Sequence, residues 1–306
     1  MQTIKRLVAS CVFLLILAIL MFCVTQLLKP TMGEYVQVSE FYQLPKNSLD
    51  FATIGSSHAY CTFDPVQIEE KSGLKSFTFS SAALSMPGRL CYLKEMYKTQ
   101  NPKVIYMDAT GVDLANEAFE KHRHENFSYL PISLNRYQCA LESVRANLWE
   151  EMVFPLKLYH SNWANFTYLP VKQFLYPDPV GRKGYVSLAG SNPITFSQDI
   201  ASVNVSIDKK KLNMFDQIVE VANQHDTKLV LFAAPMSMKN QSAYLRYFEN
   251  RYKSKSNISY LNMNQWVDEA GLKAEEDFYD SNHLNAEGVT KLTPFIAEHV
   301  KKALAQ

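Results

Sequence analysis

Phe51–Pro65, FATIGSSHAYCTFDP, is the stretch whose reading decides the fold. It opens with a short apolar run, Phe51-Ala52-Thr53-Ile54, the pattern of a buried strand. The run stops at Gly55, and two serines and a histidine follow before any helical period begins. A strand ending in glycine and then serine can lift a hydroxyl above the carboxyl edge of a parallel sheet. Backbone N–H groups of the following turn can then face a developing oxyanion. Gly-Ser-Ser is also ordinary turn composition, so the motif gains meaning only from what surrounds it.

Downstream, Asp64-Pro65 supplies an N-cap and a first-turn proline, which predicts a helix over Val66–Ser72 ending at Gly73. Ser76–Phe79 reads as a second strand, followed by the small-residue turn Ser80-Ser81-Ala82-Ala83. Pro87 opens a helix to about Gln100, and Val104–Met107 is a third strand ending at Asp108. After a long interruption the pattern resumes with an amphipathic helix over Asp208–His225 and a fourth strand over Lys228–Ala234. A helix over Ala243–Lys253, a short strand over Ser259–Asn262 and a last helix over Ala286–Leu304 complete it. Alternation at this spacing predicts an α/β fold, a three-layer α/β/α sandwich with a mainly parallel sheet covered on both faces. The interruption, 111–206, reads as an insertion at the carboxyl edge of the sheet, where open α/β folds bind ligands. It is rich in aromatics, among them Trp149, Tyr159, Trp163, Phe166, Tyr168, Phe174 and Tyr176. These build a small core of their own, stack on sugar rings or sit at a membrane surface, and the sequence leaves all three open.

The 306 residues are enough for a large core, and 47% apolar with 20% charged residues is a globular balance. A net charge of +1 without a basic stripe gives no footprint for nucleic acid. Lys5 and Arg6 precede Leu7–Leu28, apolar apart from Ser10, Thr25 and Gln26, and Lys29-Pro30 ends the run. That length crosses a bilayer as a helix, and the positive flank predicts a cytoplasmic N-terminus with the rest outside. No small-residue cleavage site follows, so the segment reads as a single-pass anchor and not a removed leader. The expected organisation is therefore an anchor with its flank (1–29), a polar stalk (30–47) and one domain (48–306). Cys11 and Cys23 lie in the anchor, leaving Cys61, Cys91 and Cys139 outside; three allow at most one disulfide, and they read as buried packing residues. Asn126, Asn165, Asn204, Asn240 and Asn257 begin glycosylation sequons, which matter only in a eukaryotic source.

Before the last helix comes Phe278-Tyr279-Asp280-Ser281-Asn282-His283-Leu284. Asp280 and His283, three apart in a turn leading into that helix, allow a carboxylate to hold the imidazole tautomer and leave the other ring nitrogen for a serine hydroxyl. A serine needs such a base at neutral pH. His122, His124 and His160 fall in the insertion without a carboxylate or cysteine grid, so no metal site is expected.

Gly-x-Ser at the end of the first strand, with Asp-x-x-His-Leu before the last helix, resembles the SGNH (GDSL-like) hydrolase superfamily over roughly 48–300. The resemblance implies a flavodoxin-like sheet and a triad in which Ser57 is the nucleophile, His283 the base and Asp280 its orienting carboxylate. The N–H groups of Ser57 and Ser80 would form the oxyanion hole. Ser56 stands where many members carry Asp. Ser80 stands nearest the usual oxyanion glycine, and the usual asparagine after the third strand has no counterpart: Asp108-Ala109-Thr110-Gly111 is there instead, and Asn116 is too far along. His58 is expected to point away from the nucleophile as packing. The anchor and the Gly-Ser-Ser turn are similar to a narrower group, membrane-anchored bacterial proteins that acylate envelope polymers, such as the D-alanyl transfer protein of lipoteichoic acid synthesis and alginate-type O-acetyltransferases. That implies O-acyl transfer to a cell-surface polysaccharide or teichoic acid, outside the membrane, without a cofactor and beside a multi-pass membrane-bound O-acyltransferase. Other readings are a lipid esterase and a non-catalytic, polymer-binding scaffold that keeps the fold.

Overall fold

The computed structural model describes residues 2–28, 34–109, 126–127, 129–143, 155–160, 163, 182–195, 205, 207–236 and 240–305. In chain order its elements are α1 (Gln2–Leu28), α2 (Glu34–Gln43), β1 (Phe51–Ile54), α3 (Ser57–Tyr60), α4 (Pro65–Ser72), β2 (Ser76–Thr78), α5 (Met86–Met96) and β3 (Val104–Asp108). They continue with α6 (Leu134–Ser143), α7 (Pro155–Tyr159), α8 (Lys209–Gln224), β4 (Lys228–Ala233), α9 (Asn240–Tyr252), β5 (Ile258–Asn262), β6 (Phe278–Asp280), β7 (His283–Leu284) and α10 (Ala286–Ala305).

Five strands form one sheet in the order β2-β1-β3-β4-β5, every pairing parallel. Phe51 pairs with both Ser76 and Val104, and Val104 with Lys228, so the strands start level. Their apolar residues divide by the period of two between the faces. Ala52, Ile54, Ile105, Met107, Leu229 and Leu231 join a core with residues of α2, α5, α8 and α9. Phe51, Val104, Tyr106, Val230 and Phe232 join the opposite core with α4 and α10. Burial on both faces explains why these strands read as unbroken apolar runs. The strand order in the sheet places the ends of β2, β1 and β3 side by side at the carboxyl edge.

Local chemistry sets the boundaries. Asp64 caps α4 by accepting the N–H groups of Val66 (3.0 Å) and Gln67 (3.3 Å), Pro65 takes the first turn, and Gly73 closes the helix at φ 75°. Glu34–Gln43, expected within a polar stalk, is instead a helix with Val38 and Phe41 buried in the core. Phe41 stacks on Phe79 at 4.0 Å between centroids, and burying one such ring contributes about 1.5–3 kcal/mol. Two apolar residues one helical turn apart were enough to pull a polar segment onto the domain.

α1 begins five residues before the expected span and has a mean hydropathy of 3.1 over its most apolar window. Its 27 residues reach about 40 Å, longer than a bilayer's hydrocarbon core of about 30 Å. The cysteines depart from simple packing: Cys91 and Cys139 form a disulfide joining α5 to α6, and Cys61 is the buried free thiol. Most of the expected insertion, including Asn116, Asn165 and Asn204, lies outside the described residues.

Candidate active site

β1 ends at Ile54, and its next residue sits against the end of β3. A Cβ on Gly55 would run into the Asp108 carboxylate and crowd the Ala59 side chain, so only glycine lets the two strand ends approach this closely. The turn that follows is held by Asp108. Its Oδ1 accepts the Ser56 N–H at 3.2 Å, and its Oδ2 accepts the Ser56 hydroxyl at 2.5 Å. Asp108 is in turn clamped from α5 by the wholly buried Arg89, whose Nη2 lies 3.1 Å from Oδ1. Arg89 Nη1 donates to the Asp108 carbonyl at 2.6 Å, and its Nε to the Leu84 carbonyl at 3.2 Å. Burial alone would push the Asp108 carboxyl up, but the Arg89 charge, with His58 and Ser56, holds it below the ordinary carboxylate range.

With Ser56 fixed, the chain turns at Ser57 into α3. Ser57 is half-buried. Its N–H, the first of a helix, has no intrahelical acceptor and finds none elsewhere among the described residues.

The partner groups arrive from 226 residues further on. Asp280 and His283 pair across an antiparallel hairpin, β6–β7, where the sequence suggested a plain turn into the last helix. The hairpin is fastened below by Asn285, which bonds the Glu276 carbonyl at 2.6 Å and the Gly190 carbonyl at 2.9 Å and caps α10 through Gly288 N–H at 3.0 Å. Lys291 adds an ion pair to buried Asp277 at 2.7 Å. His283 Nδ1 meets both Asp280 oxygens, at 2.9 and 3.0 Å, and Asp280 Oδ1 also accepts the Asn282 N–H at 2.7 Å. The opposite ring nitrogen, Nε2, lies 2.8 Å from Ser57 Oγ. Burial lowers the His283 pKa, and the nearby His58 adds to that while Asp280 opposes it, so the ring is held below the ordinary histidine value and is neutral at pH 7. Burial pushes the Asp280 carboxyl up, but its bonds to His283 and Asn282 outweigh that and leave it ionised.

Ser80, the other expected site residue, lies two residues past the β2 end, across from Gly55. The N–H groups on either side of it, from Phe79 and Ser81, donate to Thr53 and Gly55 carbonyls at 2.8 and 3.2 Å. The Ser80 N–H therefore points away from β1, and it has no acceptor among the described residues. The turn carrying it is locked by Asn126: its Oδ1 accepts the Ser81 hydroxyl at 2.5 Å, and its Nδ2 donates to the Ala82 carbonyl at 3.0 Å. Asn126 had stood out only as a sequon, yet it is 1% exposed and bonded at both ends of its amide.

His58 does not point away. Its ring stacks on His283 at 5.3 Å between centroids and 15° between planes, and its Nδ1 lies 3.1 Å from Ser56 Oγ and 3.8 Å from Asp108 Oδ2. Sequence reasoning missed the Arg89–Asp108 clamp. An arginine inside the otherwise apolar Leu90–Leu93 neighbourhood of a helix was its one available signal. Burial, reinforced by Asp280, pushes the Cys61 thiol well up, which makes it a poor competing nucleophile. No group of three or more potential metal ligands gathers among the described residues.

No protein-family model matches this chain, and no curated protein matches it significantly. Among solved structures, one from Bacteroides fragilis provisionally described as an acylhydrolase is 9% identical, with a TM-score of 0.44, covering 87% of this chain and 95% of that one. Another from Streptococcus pneumonia, provisionally described as a platelet activating factor, is also 9% identical, with a TM-score of 0.43, covering 87% and 91%. Likenesses of that size assign neither a family nor an activity, so the function has to be argued from the site.

Proposed function

We propose that this protein is a serine-dependent acyltransferase acting outside the membrane to which α1 anchors it. The observation that carries this reading is the unbroken line of short contacts from Asp280 to His283 (2.9 Å) and from His283 to the Ser57 hydroxyl (2.8 Å). Ser57 Oγ attacks the acyl carbon of a donor while its proton passes to His283 Nε2. Asp280 orients the ring and stabilises the imidazolium that forms. The tetrahedral oxyanion is held by the N–H groups of Ser57 and Ser80. Collapse expels the donor's leaving group, which takes the proton from His283 and leaves an ester on Ser57. An acceptor hydroxyl then repeats the sequence in reverse: its proton goes to His283, its oxygen bonds the acyl carbon, and Ser57 Oγ departs and recovers the proton.

Transfer is preferred over hydrolysis because the anchor holds the site at a membrane surface; Asp108 fills the strand end where a third oxyanion donor would be expected, which slows acyl chemistry with either acceptor. One such donor is worth about 10²–10³ in rate. The acceptor is a hydroxyl of a cell-envelope polysaccharide or teichoic acid, and a multi-pass membrane-bound O-acyltransferase delivers the donor. The membrane helix and the positive charge of Lys5 and Arg6 before its apolar run support the exported orientation.

The test is covalent labelling of the full-length protein in detergent by a fluorophosphonate probe. Wild type should be modified at Ser57, and both Ser57→Ala and His283→Ala should lose labelling by at least about 10³-fold. A folded wild type that stays unlabelled would leave the scaffold reading in its place.

A further inference from the structure

The extension concerns how the two halves of the site are held to one another, and it rests on the serine mechanism proposed above. Ser57 stands on α3 just past β1, and His283 follows it by 226 residues on the hairpin. Their working contact is a single distance, 2.8 Å from Nε2 to Oγ, inside the narrow range that proton transfer needs. One segment, 182–195, bonds to both halves. Its first part lies on the nucleophile side. The Lys183 carbonyl accepts the N–H of Thr78, the last residue of β2, at 2.9 Å, and the Val186 N–H donates to the carbonyl of Tyr60, the last residue of α3, at 2.9 Å. Between them Gly184 sits at φ 87°, so close to the β2 end that a Cβ there would run into the Thr78 carbonyl. The second part lies on the base side. The Leu188 carbonyl accepts the N–H of Ala286, the first residue of α10, at 3.0 Å, and the Gly190 carbonyl accepts the Asn285 amide at 2.9 Å. Asn192 then grips β6 twice: its N–H donates to the Phe278 carbonyl at 3.0 Å and its side-chain Nδ2 to the Tyr279 carbonyl at 2.6 Å. Tyr185, 6% exposed, anchors the middle in a core shared with Ala59 of α3 and with Phe278 and Leu284 of the hairpin.

We propose that 183–194 is a strap that sets the reach of His283 to Ser57, and that Asn192 is a positioning residue for the base, acting through the Tyr279 carbonyl on the strand that ends at Asp280. The Asn192 side chain is exposed, so its bond adds little to stability. Its geometric effect is larger, because Tyr279 immediately precedes the carboxylate that holds His283 Nδ1. A displacement of about 1 Å at reacting groups costs about 10² in rate, and loosening β6 at one of its two bonds to Asn192 should cost about tenfold. Asn192 touches no reacting atom and takes no proton, so the acyl steps keep their balance unchanged.

The experiment uses the full chain in detergent and reads the rate of fluorophosphonate labelling at Ser57 across pH, with urea unfolding alongside. Asn192→Ala should lower the plateau rate about tenfold and leave the urea midpoint where it is in wild type. It should also move the midpoint of the acid limb downward. Burial and His58 lower the His283 value while Asp280 opposes them, and the variant weakens the Asp280 hold. Asn192→Asp, which has no amide donor, should be as slow as the alanine variant at the plateau, and Asn192→Gln, which keeps the donor on a longer stem, should recover part of the rate. Gly184→Ala forces the strap off Thr78 and should lower the rate further, by about 10²; if it does not fold, the Asn192 series carries the test. An Asn192→Ala rate equal to wild type, or a loss of rate with the acid limb unmoved, overturns the proposal, while labelling of wild type at Ser57 keeps the serine mechanism. A folded wild type that stays unlabelled removes that mechanism and the strap's part in it together.

Discussion

Asp108→Asn is the sharpest test of how the nucleophile turn is held. The substitution is nearly isosteric but removes the carboxylate paired with a guanidinium that is 0% exposed. It also turns an amide donor toward either Arg89 or the Ser56 hydroxyl, both already donors. Leaving one partner of a buried pair alone typically costs about 3–5 kcal/mol. That is a third or more of a typical domain's stability of about 5–15 kcal/mol. Arg89→Met takes the guanidinium from the buried Asp108 carboxylate and its hydrogen bonds from the Leu84 and Asp108 carbonyls, so it should cost at least as much. The double variant removes both charges of the pair. Its cost should fall short of the sum of the singles by at least about 3 kcal/mol. Urea unfolding of the full chain in detergent, followed by tryptophan fluorescence, measures all four corners of the cycle. If the two substitutions add to within about 0.5 kcal/mol, or if Asp108→Asn costs less than about 1 kcal/mol, the ion pair is not what fixes the turn.

Two further expectations follow from the same geometry. Because His283 is held below the ordinary histidine value of 6.5 and must be neutral to accept a proton, fluorophosphonate labelling should be flat above neutrality, with an acid limb whose midpoint lies below that value. The same shift acts on stability: the unfolded chain takes the proton first, so this contribution is complete above the ordinary value and is lost as pH falls from there toward the depressed one. A midpoint above 6.5 would contradict the assigned burial. Separately, the Cys91–Cys139 bridge closes a loop of 48 residues, for which chain entropy gives about 4 kcal/mol, so Cys139→Ser should lower the urea midpoint clearly. An unchanged midpoint in that variant would mean that the bridge does not restrain the unfolded chain.

The strands were legible because both of their faces are buried. Runs such as Val104–Met107 and Lys228–Ala233 have no reason to alternate, and a polar or turn-forming residue, Asp108 after the one and Pro235 shortly after the other, marks where they stop. The site's line from Asp280 to Ser57 was legible for a different reason. Its two halves are each local, a serine just past a strand and a carboxylate three residues from a histidine, and only their meeting is long-range. The stalk was misread because helix α2 owes its place to two side chains, Val38 and Phe41, inside a polar average. The disulfide was not legible at all. Nothing in the spacing of Cys91 and Cys139 says that α6 folds back along α5.

Asp108 shows why part of the site escapes such reading. A carboxylate at the end of a buried strand is expensive unless something pairs with it, and its partners come from three places: the turn after β1, the helix before β3 and a histidine beside the nucleophile. None of them is adjacent to it in sequence, and each has an innocent reading by itself. Yet the three are mutually required. Gly55 must lack a side chain because Asp108 stands there, Arg89 must be buried because Asp108 is charged, and Ser56 supplies the N–H and hydroxyl that the two Asp108 oxygens accept. The site thus uses two carboxylates in two environments. Asp280, partly exposed on a hairpin, holds Nδ1 of His283, the ring that in the proposed reaction would gain and lose a proton with each acyl step. Asp108, sealed under the turn, holds the backbone that presents the Ser57 hydroxyl. A change at Asp280 should therefore act on rate with little loss of stability, whereas a change at Asp108 should act on both, because there the electrostatics of the site and the packing of the sheet edge are the same interaction.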